Sequence, residues 1–405
     1  MMDATKARFE HLRRSTGAAL CVTCGKCSTM CPEGSVADFS ARRIVNQELH
    51  HHLDGSAVGV QRCLTCGSCE LRCPQGVKIS ELVRGLRELL PEQDRRLRPH
   101  GGVFQTVPRM QAAGGASSKR APWLDDSHRV AEKGELALFV GCLPLFDLYF
   151  QDSLAIQTLE IARSAVTIFN RLGVEPVIVD EEVCCGHDLL WSGDREGFAS
   201  LAHQNAKLFA DRGVELIVTT CAECCRTWRL DYADEVTDYH PRVQHISEYL
   251  AEHIDDPKLN LATQSPTRVT IQDACRLGRH LNVVDAPREV LRAVEGTELV
   301  EMPRSGRDAD CCGTSGFIHC DAQSKQLQRQ RLRSAEDTGA STITTSCPKC
   351  LIHFSCSKTE DEKCGNPIPN IEIMDFTVLV ASSLVDRQEP NESPAPDERV
   401  IGARR

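Results

Sequence analysis

Short apolar runs alternate with longer amphipathic stretches from about residue 135 onward. The runs ELALFVGC, VEPVIVD and VELIVTTC are followed later, in the same order, by RVTIQDAC, TELVEMP and ASTITTSC. Segments with apolar residues at helical spacing lie between these runs. Strands that alternate with helices indicate parallel α/β units. We therefore predict a pseudo-duplicated α/β domain with one lobe at residues 135–260 and a second at residues 261–386.

The first 98 residues lack this alternation and are compatible with helices instead. The segment ISELVRGLRELLPEQDRRL has apolar residues at helical spacing and ends in basic residues. Residues 99–134 are rich in Gly, Ser and Pro and predict a linker, and the polar residues 387–405 predict a disordered tail. The expected fold class is therefore α+β or α/β, with an α-helical module before the duplicated domain.

Composition adds one anomaly, because the chain has 22 cysteines against 12 Phe, 4 Tyr and 3 Trp. The N-terminus carries charges throughout and has no apolar core of a secretory signal, which predicts a cytoplasmic location. In that compartment cysteine clusters indicate metal sites rather than disulfides. No run approaches the roughly 18 apolar residues of a membrane span, so we expect a membrane link only through a partner. The net charge of −10 argues against nucleic acid as a partner.

Two cysteine motifs of identical spacing lie in the N-terminal region. A C-x2-C-x2-C-x3-C-P run begins at Cys21 and recurs at Cys63. A cubane [4Fe–4S] cluster needs four thiolates, and in two-cluster ferredoxins the fourth cysteine of each run binds the other cluster. The predicted ligand sets are Cys21, Cys24, Cys27 and Cys73 for one cluster, and Cys31, Cys63, Cys66 and Cys69 for the other. Zinc also binds four thiolates, but two intact runs with trailing prolines favour iron–sulfur clusters.

Each half of the duplicated region contains five further cysteines in a matching order. A single cysteine is followed by Cys-Cys-Gly and then by Cys-x-x-Cys. These cysteines are Cys142, Cys184, Cys185, Cys221 and Cys224 in the first half, and Cys275, Cys311, Cys312, Cys347 and Cys350 in the second. Ligands of parallel α/β folds gather at the carboxyl ends of the strands, so we expect one site in each lobe. Five thiols exceed the four that one cubane cluster takes, and the fifth must have another use.

The repeated motif resembles the CCG domain found in the B-type and D-type subunits of heterodisulfide reductase. VTTCAECCRTWRLDY is similar to the first motif of that family, and QDACRLGRHLNVVDAPREVL, DADCCGTSG and TTSCPKC are similar to the second. The N-terminal part resembles the α-helical ferredoxin module of succinate dehydrogenase and of the C-type heterodisulfide reductase subunit. The fused arrangement resembles the D-type subunit. The resemblance implies two cubane [4Fe–4S] clusters in residues 1–98 and one or two noncubane clusters at the CCG motifs, whose ten cysteines would be catalytic ligands.

The resemblance further implies an oxidoreductase that acts as an electron-transfer and catalytic component of a redox complex. It would pass electrons between the ferredoxin-type clusters and CCG clusters that reduce or oxidise a disulfide or similar acceptor. No flavin or nicotinamide motif is visible, so a flavoprotein, ferredoxin or membrane cytochrome is the expected redox partner. An alternative is a non-catalytic relay component of a flavin-dependent dehydrogenase, of the glycolate oxidase, lactate-utilisation or anaerobic glycerol-3-phosphate dehydrogenase type, that delivers electrons toward quinone. A zinc-stabilised interaction module is a third alternative.

The remaining cysteines and several histidines are expected to be structural. Four cysteines lie outside the motifs and are predicted to act as small apolar residues; they are Cys225, Cys320, Cys356 and Cys364. Four histidines flank the motifs and could supply a proton to a thiolate leaving group; they are His187, His280, His319 and His353. The tract from His50 to His52 is interpreted as a solvated segment rather than a metal site.

Overall fold

A computed structural model describes residues 2–49, 57–89, 98–115 and 122–386. The predicted tail and the tract from His50 to His52 lie outside the described residues. Within them, a helical N-terminal module precedes two α/β lobes, which confirms the predicted fold class. No helix of the described part is long and apolar enough to cross a membrane.

The N-terminal module consists of short helices separated by cysteine-bearing turns. Its helices are α1 (Met2–Ser15), α2 (Lys26–Thr29), α3 (Glu33–Val36), α4 (Ala41–Leu49), α5 (Ala57–Arg62) and α6 (Ile79–Glu88). Ile44 of α4 packs in one buried cluster with Leu82 and Leu86 of α6. The same cluster contains the thiols of Cys63 and Cys69. The apolar side chains therefore form the wall around the cysteines.

The segment predicted as a linker contains a packed helix, α7 (Val103–Ala112). Phe104 is buried, and its ring stacks on that of Phe317 with centroids 4.2 Å apart. Gln105 donates a hydrogen bond to the carbonyl of Gly316 at 2.7 Å. The structure thus differs from the prediction because one aromatic residue finds a buried site on the second lobe, while the Gly and Ser residues that suggest a linker lie on either side of the helix.

The first lobe contains a three-stranded parallel sheet. Its strands are β1 (Leu136–Phe139), β2 (Leu216–Thr219) and β3 (Arg242–His245), in the order β1-β2-β3. Its helices are α8 (Leu143–Leu154), α9 (Leu159–Leu172), α10 (His187–Trp191), α11 (Arg195–Ala210), α12 (Ala222–Arg226), α13 (Tyr232–Glu235) and α14 (Ile246–Glu252). The predicted strand VEPVIVD forms only isolated bridges, at Val177.

The second lobe repeats this arrangement with one added strand. Its strands are β4 (Ala262–Gln272), β5 (Glu295–Leu299), β6 (Thr342–Thr345) and β7 (Glu372–Asp375), in the parallel order β5-β4-β6-β7. Its helices are α15 (Asp285–Ala293), α16 (Ala322–Glu336), α17 (Pro348–Cys364) and α18 (Phe376–Ser382). Each lobe contains one short π-helical turn, at Thr227–Asp231 after the Cys-x-x-Cys motif of the first lobe and at Arg276–His280 after the single cysteine of the second.

The three parts of the chain pack into one body. Helices of the second lobe lie against helices of the first, with α18 on α9, α17 on α8 and α15 on α14. The N-terminal module contacts both lobes, because Arg62 pairs with Asp321 at 2.7 Å and Arg84 pairs with Asp231 at 3.2 Å. The module therefore lies against the duplicated domain.

Helix α14 begins at a buried histidine that caps it. The ring Nδ1 of His245 accepts a hydrogen bond from the backbone N–H of Ser247 at 3.1 Å, and Glu248 accepts one from the backbone N–H of His245 at 2.9 Å. This reciprocal pair is a capping box. Burial lowers the pKa of His245 to about 3, so the folded protein holds this ring neutral.

We expect His245 to make the protein sensitive to acid. Below the unfolded pKa of about 6.5 the unfolded chain binds a proton that the folded chain excludes, so stability falls as the pH falls. Between pH 7 and pH 5 this group alone should remove about 2 kcal/mol from the free energy of unfolding. His245→Asn keeps an N-cap acceptor and should lessen the loss by that amount in urea unfolding at the two pH values. Equal losses in both proteins would contradict the prediction.

Candidate iron–sulfur sites

The four cysteines predicted for one cluster surround a small cavity near the surface, which we call the outer site. Its cysteines are Cys21, Cys24, Cys27 and Cys73. Backbone N–H groups point at two of the thiols, from Thr23 to Cys21 at 3.4 Å and from Val77 to Cys73 at 3.3 Å. Gly25 has a φ of 83°, which allows the chain to turn closely over the cavity.

The outer site borders an exposed apolar surface. Cys24 is itself exposed. Leu20 and Val22, on the same turn, are 62% and 58% exposed, although large apolar side chains are usually buried. A ligand set at the surface beside apolar side chains is accessible to another protein.

The other four cysteines surround a second cavity, which we call the inner site. Its cysteines are Cys31, Cys63, Cys66 and Cys69. Cys31 comes from the first sequence run, and burial together with the nearby thiols of Cys63 and Cys66 raises its pKa. The structure thus brings together the two crossed-over sets that the sequence predicts. Ile79 lines both cavities, so the inner and outer sites are neighbours.

The first lobe gathers five cysteines into one group, the first CCG site. Its cysteines are Cys142, Cys184, Cys185, Cys221 and Cys224. The Sγ atoms of Cys142 and Cys184 are 3.0 Å apart, and those of Cys185 and Cys224 are 3.5 Å apart. Cys142 follows β1 and Cys221 follows β2, so the expectation that carboxyl ends of strands carry the site matches the geometry.

The second lobe gathers its five cysteines in the same way, as the second CCG site. Its cysteines are Cys275, Cys311, Cys312, Cys347 and Cys350. Hydrogen bonds with Cys311 and Cys350 lower the pKa of Cys312. One difference separates the lobes: His353 Nδ1 lies 3.5 Å from Cys312 Sγ, whereas Thr227 occupies the equivalent position after Cys224.

Two thiol contacts join the separate sites. Cys66 of the inner site contacts Cys311 of the second CCG site, and this hydrogen bond lowers the pKa of Cys66 to about 6. Cys347 of the second CCG site contacts Cys221 of the first. The thiols therefore form a continuous row from the inner site through the second CCG site to the first. The sequence alone contains no information about this order.

The residues present fit iron–sulfur clusters. None of the 22 cysteines forms a disulfide, even where two sulfur atoms are close. Four thiols around one cavity match the ligand set of a cubane cluster. Within the described part of the chain, Arg279 Nη2 and His353 Nε2 are buried beside these thiols without a hydrogen-bond partner. Such donors suit the sulfur atoms of a cluster.

A buried cluster of charged residues, which the sequence patterns do not predict, lies where the two CCG sites meet. The ammonium of Lys349 contacts the carboxylates of both Asp188 and Glu223. His187 Nδ1 lies 2.9 Å from Asp188 Oδ1, and its Nε2 accepts a hydrogen bond from Arg276 at 3.1 Å. The sequence does contain one indication of this cluster, because the oppositely charged Glu223 and Lys349 occupy the same position inside the two Cys-x-x-Cys motifs.

Three of the flanking histidines lie beside polar or charged groups. Burial lowers the pKa of His187 to about 4, which keeps the ring neutral among its charged neighbours. His280 Nε2 lies 3.1 Å from the carbonyl of Thr65. His319 Nε2 lies 3.7 Å from a carboxylate oxygen of Glu33.

The four cysteines outside the motifs differ in their surroundings. Cys225 is buried, and burial raises its pKa to about 12, as expected for an apolar position. Cys356 accepts a hydrogen bond from Lys325 at 2.9 Å, and Cys320 lies partly buried close to both. Cys364 is exposed at the end of α17. None of the four contributes to the thiol groups described above.

The sequence matches two families of known domains. The cysteine-rich CCG domain matches residues 136–228 and 269–355, and the 4Fe-4S dicluster domain matches residues 20–77. Both matches support the binding of iron–sulfur clusters.

Curated relatives of this chain include oxidoreductases of several kinds. The D subunit of dihydromethanophenazine:CoB--CoM heterodisulfide reductase from Methanosarcina acetivorans is 28% identical over 65% of this chain and 63% of the relative. EtfAB:quinone oxidoreductase of Syntrophomonas wolfei is 28% identical over 57% of this chain and 34% of the relative. The probable iron-sulfur-binding oxidoreductase FadF of Bacillus subtilis is 27% identical over 67% and 37%. The matched part spans less than two thirds of the length of each of these relatives.

Proposed function

Because this chain is an iron–sulfur oxidoreductase component similar to the D-type heterodisulfide reductase subunit, we propose that it passes electrons between a redox partner at the outer site and a disulfide or similar two-electron acceptor at the CCG sites. The observation that carries the proposal is the continuous row of thiols, with contacts from Cys66 to Cys311 and from Cys347 to Cys221. Bound clusters supply one-electron transfer at each site.

The proposed ligands divide between two kinds of cluster. The outer and inner sites would each hold a cubane [4Fe–4S] cluster through four thiolates. The two CCG sites would each hold a noncubane cluster through five. The protein excludes water from the CCG sites, because both cysteines of each Cys-Cys-Gly motif are buried. The charged residues Lys349, Asp188 and Glu223 also join the two lobes where the CCG sites meet.

The outer site is the proposed contact with the redox partner. Its exposed ligand Cys24 is flanked by exposed Leu20 and Val22. Exposed apolar side chains are typical of interaction surfaces, and an accessible ligand allows a partner to approach the bound cluster. The partner would be a flavoprotein, a ferredoxin or a membrane cytochrome.

A second candidate function is a relay that delivers electrons toward quinone without reducing a disulfide itself. The observation that favours it is the similarity to EtfAB:quinone oxidoreductase, which covers 57% of this chain. The ligand sets would be unchanged, but the CCG sites would pass electrons on instead of acting on a substrate.

Iron and acid-labile sulfide per chain test whether the CCG sites are filled. In protein purified without oxygen we expect about sixteen irons, since two four-iron clusters account for only about eight. Cys312→Ser should lower the value by up to about four, whereas Cys364→Ser, at an exposed cysteine outside the sites, should leave it unchanged. A value near eight in fully reconstituted wild-type protein would contradict the proposed clusters at the CCG sites.

Turnover with a chemically reduced viologen dye separates the two candidate functions. Reduction of a disulfide by the purified chain, lost in Cys312→Ser, would support the disulfide mechanism. Reduction of a soluble quinone without disulfide turnover would support the relay instead.

A further inference from the structure

Three buried arginines converge on the inner site. Arg87, Arg276 and Arg279 are 0%, 1% and 7% exposed. Each donates a hydrogen bond to a different carbonyl of the loop that carries the site. The bonds run from Arg87 to Cys63 at 2.5 Å, from Arg276 to Thr65 at 2.5 Å and from Arg279 to Cys66 at 2.6 Å.

Among the residues that the structure describes, these three guanidinium groups have no carboxylate partner. Two other buried arginines do have one, Arg288 with Asp273 at 2.7 Å and Arg226 with Glu81 at 3.0 Å. Buried Arg331 bonds to the side-chain carbonyl of Gln272 and the backbone carbonyl of Arg304 instead, but it stands alone and not in a group around a cavity. In the same described part, Arg87, Arg276 and Arg279 donate hydrogen bonds only to carbonyls, to two hydroxyls and to neutral imidazoles. Arg276 also lies over the ring of Trp191, with its Cζ 3.8 Å from the ring centroid.

A buried positive charge without a partner costs several kcal/mol, so three of them around one cavity indicate an anion inside it. A cluster bound by four thiolates is such an anion. Arg279 also leaves Nη2 free, and its charge acts on the thiols of Cys66, Cys275 and Cys311. It therefore faces both the inner site and the second CCG site.

Glu70 also lies near the inner site, but it does not cancel this charge. Glu70 carries at most one negative charge, against the three positive charges of Arg87, Arg276 and Arg279. Its Oε1 accepts a hydrogen bond from the backbone N–H of Ser80 at 2.6 Å. The field at the inner cavity therefore remains positive.

The outer site has a different electrostatic environment. The cations that line its cavity, Lys26 and Arg42, are exposed. Solvent and salt screen exposed charges, whereas buried charges act with less screening. Because reduction adds a negative charge, buried cations favour the reduced state of the inner site much more than exposed cations favour that of the outer site.

We propose that Arg87, Arg276 and Arg279 make the inner site the more easily reduced of the two ferredoxin-type sites, so that an electron received at the outer site rests beside the second CCG site. This inference rests on the proposed cluster binding and adds a direction, inward, to the proposed electron transfer.

The test is a redox titration of the reconstituted full chain, followed by electron paramagnetic resonance. Cys24→Ser alters a ligand of the outer site and identifies its signal. In wild-type protein the remaining ferredoxin-type signal, which belongs to the inner site, should have the higher midpoint potential. Arg279→Gln should lower that potential by about 59 mV, which is a tenfold change in the reduced-to-oxidised ratio of a one-electron couple. The outer signal should stay unchanged.

Two controls separate charge from structure. Arg279→Lys keeps the charge and should retain most of the potential. Arg307→Gln removes an exposed cation that lines the same surface cleft of about 1370 Å³ as Arg279, and it should shift neither signal.

Three results would overturn the inference. The first is a midpoint potential of the outer site that equals or exceeds that of the inner site in wild-type protein. The second is an unshifted inner potential in an Arg279→Gln protein of normal iron content. The third is an Arg279→Gln protein in which the midpoint potentials of the inner and outer sites shift by the same amount. Failure of the proposed function would instead appear as a low iron value or absent turnover, because the two ferredoxin-type potentials are measurable even if the CCG sites are empty.

Discussion

Lys349→Met should destabilise the protein by roughly 3–5 kcal/mol, the usual effect of removing one partner from a buried ion pair. Lys349 contacts Asp188 and Glu223 where the two CCG sites meet, and all three side chains are buried. Burial opposes the charge of Asp188, but the contacts with Lys349 and His187 together outweigh it and lower the pKa of Asp188. Without the ammonium, two carboxylates would remain buried together. Urea unfolding at pH 7 measures the loss.

A second lysine on the same helix provides the control. Lys358 is half-buried and donates a hydrogen bond to the carbonyl of Ile371 at 2.7 Å. Lys358→Met should cost about 1 kcal/mol. Adding Glu223→Gln to Lys349→Met should recover part of the loss, because one buried charge is removed. Similar losses for the two single lysine variants would show that the charge cluster does not stabilise the fold.

Gly193→Ala should weaken the attachment of the N-terminal module to the first lobe. Gly193 has a φ of 90°, and an added Cβ would lie 2.4 Å from the backbone carbonyl of Arg87. Backbone atoms of a packed helix cannot move aside as a flexible side chain can. The same contact region includes the hydrogen bond from Arg87 to the carbonyl of Trp191 at 2.9 Å. We expect a loss of several kcal/mol in urea unfolding and faster proteolysis of the segment between α6 and α7.

Gly213→Ala is the matched control for backbone strain. Gly213 also has a positive φ, of 73°, but an added Cβ would meet no atom within 4 Å. Its substitution should cost only about 1–2 kcal/mol, the penalty of a left-handed residue. If both alanine variants lose the same stability, the close approach of Gly193 to Arg87 is unimportant.

Local spacing was sufficient to predict which cysteines come together. The crossover of Cys31 and Cys73 follows from the ferredoxin-type runs, because a tight loop can supply only three ligands to one cluster. The repeated order of cysteine elements likewise predicted one group of thiols in each lobe. These groupings depend on short loops and strand ends, which are encoded in nearby residues.

The contacts between sites could not be predicted, because they depend on how three separately encoded parts pack together. The contact of Cys66 with Cys311 joins residues far apart in the sequence. The convergence of Arg87 and Arg279 on one loop has the same origin. The sequence does not predict α7 either, because the residues around this helix are rich in Gly, Ser and Pro. The short strands β3 and β7 carry no cysteine that would indicate their position.

The duplicated lobes are not equivalent, since the inner site touches the second of them directly, and the first is reached through the contact of Cys347 with Cys221. Under the proposed electron transfer, the two lobes would therefore act in series rather than in parallel. An interruption in the second lobe would disconnect the first, whereas an interruption in the first would leave the second connected. Substitutions that accumulated after the duplication should therefore be tolerated better in the first lobe than in the second, which lies between the inner site and the first lobe.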